Sequence, residues 1–410
     1  MASSQTREIN LFWPLAALVL VLLTFGVVQC TSSCAEQGSE QSDLTLFEGM
    51  PPARDEQTQG NSSDVESSWD DLLSQEEEKQ KQKQEQGEED TQSGDSQGDD
   101  EEGTGSWPVV TPEESLHDKL AAELHIAKVT DDEDRELARE CEGYYAYNQL
   151  NATEQADYRA YLRVARTHQP QEVAEGAYGR SDKVMDAFFA EHPEAFNAQQ
   201  YSFPEISQGG VSVTAVNFVW ICDEVKERQL QDKVNSYIKR SLKKLPSKAD
   251  DYGKAKYLYE YLARNVSYDW DAYDRGDNVK KVGDGYDAPS IAISNKAVCH
   301  GYASMYVLML RELGIQAFLV GGMANGGSHT WCIVRLDGEY YYVDPTWADP
   351  TNQETRKDVG IINYNYLCIT TQKLEEDHTP NMRFELPRCT ATADNYYIRE
   401  GADAPETVPA

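Results

Sequence analysis

The 410-residue chain reads as an α+β protein in which a helix packs on an antiparallel sheet. Three observations lead to that class. Residues 295–301 (NKAVCHG) run into MYVLMLRELG, a helical apolar pattern closed by Gly314. Residues 315–320 (IQAFLV) form a short apolar run of strand character. Residues 330–336 and 339–343 are two further strands separated by Asp337-Gly338, the dipeptide most typical of a two-residue hairpin turn.

Before this block the chain changes character twice. Arg7 precedes an uncharged apolar run at residues 11–28, followed by the small residues TSSCA at 31–35. Positive charge, apolar core and small residues in that order predict an export signal within residues 1–34. Cleavage, retention as an N-terminal membrane anchor and lipid attachment at Cys30 or Cys34 all remain open, and each leaves the rest of the chain secreted or at the cell surface. Residues 35–107 then hold 22 acidic residues against 4 basic ones and almost no apolar side chains. Such a stretch cannot bury enough surface to offset its ordering entropy, so a disordered acidic tether is expected. It carries roughly half of the net charge of −34, and that charge, with a pI near 4.5, excludes nucleic acid as a partner.

Residues 108–222 read as a mainly helical region. Thr111 and Pro112 look like an N-cap and a first helical residue. Tyr158, Tyr161, Leu162 and Val164 have helical spacing within 153–167, as do Val184, Met185, Phe188 and Phe189 within 181–191. Residues 211–221 (VSVTAVNFVWI) alternate and are β-branched, which predicts a strand. A functional domain is expected over 223–380, with amphipathic helices at 225–245 and 250–265, and a C-terminal extension over 381–410. Residues 271–290 are expected to be a loop over a cleft, and GGMANGGS a glycine-rich loop.

The chemistry is carried by three residue types in order. Cys299 stands at a helix start, where unpaired N–H groups and the positive end of the helix dipole favour a thiolate. His329 follows 30 positions later and Asp344 15 beyond that, giving a nucleophile, a base and an orienting carboxylate if the fold unites them. The hairpin allows a test. A two-residue turn makes Leu336 and Glu339 direct neighbours, so Trp331 opposes Asp344 and His329 lies on the same face. His329 and Asp344 are then diagonal neighbours about 7–8 Å apart, within side-chain reach. Cys332 falls on the opposite face as a buried structural thiol.

Cys299, His300, His329 and Cys332 are also zinc-ligand types, but they lack the paired spacing of a structural site and the hairpin separates His329 from Cys332. No metal and no cofactor is expected. The eight cysteines are too sparse in so long a chain for a disulfide framework.

At these residues the chain resembles the transglutaminase-like superfamily, in its bacterial secreted branch. The motifs are AKYLYEYLARNVSYD, KAVCHGYASMYVLMLRELGI and SHTWCIVRLDGEYYYVDPTWADP, and the likeness extends over roughly residues 157–401. It implies a papain-like α+β core, a catalytic triad of Cys299, His329 and Asp344, and thiol chemistry on peptide or protein amides through a thioester, with no metal requirement. His300 and the segment 288–290 depart from the residues common around the cysteine, which bears on the substrate pocket. Peptide hydrolysis ranks above cross-linking, because no feature provides for an amine acceptor or limits water. The alternative is a catalytically silent surface module that binds peptide or carbohydrate through Tyr340, Tyr341, Tyr342, Tyr364, Tyr366, Tyr396 and Tyr397.

Overall fold

The computed structural model describes residues 5–7, 115–276, 281–348, 351–352, 356–358 and 360–403. The expected tether and all of the expected export signal except residues 5–7 lie outside the described residues. Among the described residues no helix is long and apolar enough to cross a membrane.

A four-stranded antiparallel sheet positions the site. Its strands, in spatial order, are Glu339–Val343, Gly327–Leu336, Ala317–Ala324 and His378–Pro380. The Asp337-Gly338 turn pairs Glu339 with Leu336 and Val343 with Cys332, the register expected from the turn. The stretch GGMANGGS differs from expectation, because it is not a loop. Asn325 and Gly326 both take positive φ (47° and 79°) and make a second tight turn, so Gly321 and Gly322 lie inside a strand. Gly322 is needed there: a Cβ would collide with the Thr379 carbonyl and the Trp331 ring, and so push away the edge strand that carries His378.

This sheet is covered on both faces. Cys332, Val334, Leu336, Leu319 and Val343 join one core with the helices Glu224–Ser241, Asp251–Asn265 and Cys299–Glu312. Phe318, Val320, Trp331, Ile333 and Tyr342 face the other way, into a core built with Tyr158, Phe188 and Phe218 from the N-terminal region. Alternate residues of one strand thus serve two cores, as the two-residue period of a strand dictates.

The N-terminal region holds helices at Ala152–Thr167 and Ala177–Glu191, close to expectation. The first is closed by a capping box, Asn151 with Glu154, and by His168 in the left-handed conformation. Among the described residues the region's first helix spans Leu116–Glu123 and is capped by Ser115, whose hydroxyl accepts from the Asp118 N–H, while Thr111 and Pro112 lie outside the described residues. The strand Val211–Trp220 is the centre of a sheet with Gln171–Val173, Ala198–Ser202 and Glu205–Gln208, three strands absent from the sequence reading. Gln5–Arg7 pairs with the last of these. Within the expected loop 271–290 the chain forms the end of a short helix, Trp270–Arg275, and the start of another, Ala288–Ser294. Of the tyrosines proposed for surface contacts, Tyr340, Tyr364, Tyr396 and Tyr397 are half-buried. Tyr341, Tyr342 and Tyr366 are buried, Tyr364 stacks on Tyr396 at 3.7 Å, and the Tyr397 hydroxyl donates to Asn365 Oδ1 at 2.7 Å.

Candidate active site

Cys299 is the first residue of a 14-residue helix. The residue before it, Val298, is extended and has no side-chain acceptor, so the first-turn N–H groups receive no side-chain cap and their partial positive charge faces the thiol. The helix start is held from outside. The Val298 N–H donates to Gly285 O at 2.9 Å, and a Cβ at Gly301 would come within 2.6 Å of Ala297 Cβ and 2.9 Å of Asp287 O. Asp287 is itself buried and accepts from Gly283 N–H, Ser290 N–H and the Ser290 hydroxyl.

His329 and Asp344 come from the two strands of the hairpin. His329 Nε2–H donates to Asp344 Oδ2 at 2.7 Å. The other carboxylate oxygen, Oδ1, accepts from Thr346 N–H at 2.9 Å and Trp347 N–H at 3.3 Å, so the turn after the strand sets the carboxylate's orientation. With Nε2 engaged, Nδ1 is the nitrogen left for a thiol, and the charge of the nearby Cys299 acts with Asp344 on the ring. Burial pulls His329 towards the neutral form, but Asp344 and Cys299 outweigh it and raise the ring to about 10. Burial likewise works against the Asp344 anion, yet the two neighbouring imidazoles keep it well below the usual carboxylate range.

Every other described cysteine is poorly placed for reaction. Burial pushes Cys141 and Cys389 up to about 12, and pushes Cys332, Cys368 and Cys222 upward as well. Cys332 lies on the face opposite His329, fully buried, with Sγ 3.6 Å from Ala303 O. None of the six is in a disulfide. His300, next to the nucleophile candidate, has a sealed Nδ1 without a hydrogen-bond partner, and burial lowers its ring to about 4.

One member of the cluster was not singled out from the sequence. His378, on the three-residue edge strand, points Nε2 at Asp344 Oδ2 (3.3 Å) and Nδ1 at Asp377 Oδ1 (2.5 Å). Its only signal was the motif DHTP, too short to show periodicity. Among the described residues, His329, Asp344 and His378 are the group whose ligand atoms are close enough to share a metal ion, all within 4.8 Å. The zinc-ligand types considered from the sequence do not form that group: Cys332 faces away, and the cluster includes neither Cys299 nor His300.

Residues 240–345 match the family model described as the transglutaminase-like superfamily, Transglut_core. The chain carries a transglutaminase-like domain. Kyphoscoliosis peptidase of Mus musculus is 24% identical over 144 residues, covering 32% of this chain and 21% of the relative, and the Homo sapiens protein matches to the same extent. This chain therefore spans 21% of the length of the curated relatives it matches. A crystal structure of a TGase aligns with 55% of this chain and 59% of that chain at 15% identity and a TM-score of 0.28. The transglutaminase-like domain is a mixed helix-and-sheet unit, and the matched residues include Cys299, His329 and Asp344.

Proposed function

We propose that the protein is an exported thiol hydrolase or acyl transferase acting on peptide or protein amides, with hydrolysis favoured over cross-linking. The observation that carries the reading is the short His329–Asp344 contact at a ring whose proton affinity Cys299 also raises. In this mechanism the Cys299 thiol gives its proton to His329 Nδ1, and the thiolate adds to the amide carbonyl carbon. First-turn N–H groups of the Cys299 helix face the developing oxyanion. The imidazolium returns its proton to the leaving amine as the C–N bond breaks, which leaves a thioester. Water then attacks the thioester with His329 as base, releasing the acid and restoring the thiol.

The test is competitive alkylation of the full chain near pH 7. Cys299 is expected to react far faster than Cys141, Cys222, Cys332, Cys368 and Cys389, and equal rates would overturn the reading. Export rests on residues 1–34 and the acidic stretch after them. The mature N-terminal mass from a secreting host is expected to reveal a cleaved, anchored or lipid-bearing form. Recovery of the unprocessed chain in the cytoplasm would refute it.

A further inference from the structure

We propose that His378 is a positioning residue that acts through Asp344 to limit how firmly His329 holds its proton, an inference that rests on the nucleophile–base reading above. Asp344 does not need His378 for its orientation, because Oδ1 is already fixed by the Thr346 and Trp347 N–H groups. What His378 adds is a second donor on the same oxygen that serves His329, at 3.3 Å beside the 2.7 Å bond. An oxygen that accepts two donors has less negative potential to offer either one, and in a site with little water the division is felt strongly.

The surroundings make His378 a strong donor. Its Nδ1 faces Asp377 Oδ1 at 2.5 Å, and the Tyr366 hydroxyl donates to Asp377 Oδ2 at 2.5 Å. Both ring nitrogens therefore face carboxylate oxygens, Nε2 towards Asp344 and Nδ1 towards Asp377. The titratable groups facing the ring are Asp344 and His329 from the hairpin, Tyr366 from the segment after it, and the adjacent Asp377. Trp331 and Trp347 close the remaining sides, with ring centroids 4.8 Å and 4.4 Å away. The ring is 1% exposed, so bulk water does not screen these contacts.

The chemical use follows from the two duties of His329. It must take the thiol proton and then surrender it to a leaving amine, and proton transfer is most efficient when the group's affinity lies near the working pH. An undivided Asp344 favours the first duty at the expense of the second. His378 shifts the balance towards release.

The experiment follows the His329 ring proton by ¹⁵N spectra of the full chain from about pH 6 to pH 11, beside Cys299 alkylation by iodoacetamide at pH 7. His378→Phe is expected to move the midpoint at which His329 loses its proton up by about one pH unit, because an Asp344 oxygen relieved of its second donor holds the ring proton more firmly. His378→Gln, which keeps a side-chain N–H, is expected to stay near wild type, and Asp377→Asn to fall between the two. An unchanged or downward midpoint in folded His378→Phe overturns the proposal; a purely structural role slows labelling without the upward shift. Should His378→Phe not fold by circular dichroism, Asp377→Asn decides by the same criterion. A wild-type profile that changes on EDTA treatment also overturns it, in favour of a metal on the His329–Asp344–His378 cluster. Wild-type labelling in His329→Ala would instead refute the underlying nucleophile–base reading.

Discussion

His329 and His192 are both buried, and each has a ring nitrogen within 2.7 Å of a carboxylate oxygen. His192 Nδ1 lies 2.6 Å from Glu194 Oε1, while its Nε2 lies 2.9 Å from the Tyr158 hydroxyl. Both of its nitrogens are thus taken by fixed oxygen partners. Burial is the largest influence on it, Arg311 and Arg166 add to that influence, and together they outweigh Glu194 and keep the ring below its ordinary range. His329 has one nitrogen on a carboxylate and no second fixed oxygen partner among the described contacts, and Asp344 and Cys299 raise its ring. A buried histidine–carboxylate pair is therefore not in itself a reactive device. The partner of the second nitrogen and the sign of the nearby charge decide between a strut and a base.

The comparison can be broken most directly at the rings themselves. His329→Ala is expected to slow Cys299 alkylation at pH 7 by about 10²- to 10³-fold, the scale of a lost general base. His192→Phe should leave that rate unchanged, and equal slowing in both variants would erase the distinction. Asp344→Asn should slow labelling less, by about tenfold to a hundredfold, since the ring keeps its place but loses the charge that favours imidazolium.

Ring protonation sharpens the contrast. In ¹⁵N spectra at pH 7, His329 should appear as imidazolium and His192 as neutral. Their stability contributions have opposite pH dependence. The raised His329 contributes fully below its unfolded value near 6.5 and loses that contribution as pH rises through about 10. The lowered His192 contributes above 6.5 and loses its contribution as pH falls. In urea, His192→Phe should unfold about 1–3 kcal/mol more easily at pH 7.5, because Tyr158 and Glu194 lose a buried partner, and the gap to wild type should narrow at pH 5. Tyr158→Phe should cost least, about 1 kcal/mol, with Cys299 labelling intact.

The His329 half of this contrast is legible in the sequence because it depends on local rules. Asp337-Gly338 dictates a two-residue turn, the turn dictates register, and register places His329 diagonal to Asp344. His378 was not readable, since no short-range rule links it to a carboxylate 34 positions earlier; only the pairing of a three-residue edge strand brings it there. The glycine stretch was misread because its glycine content outweighed the Asn325-Gly326 signal inside it. The strands Gln171–Val173 and Glu205–Gln208 are too short to show alternation, and they exist because Val211–Trp220 offers them a partner. The helix Asp131–Cys141 is mostly charged and buries only Leu137 and Cys141, so it has almost no apolar period to detect.

The two-sided packing of the hairpin strand also bears on how little of the chain can stand alone. The segment that matches the superfamily, residues 240–345, contains Cys299, His329 and Asp344 but only one of the two coverings of its sheet. A chain shortened to begin after residue 222 would bare Phe318, Val320, Trp331, Ile333 and Tyr342 to water at once. Such a shortened chain is expected to unfold in urea more easily than the full one. The matched segment's N-terminal neighbour works as the second wall of the sheet, and domain swaps or trimmed expression forms should carry both together.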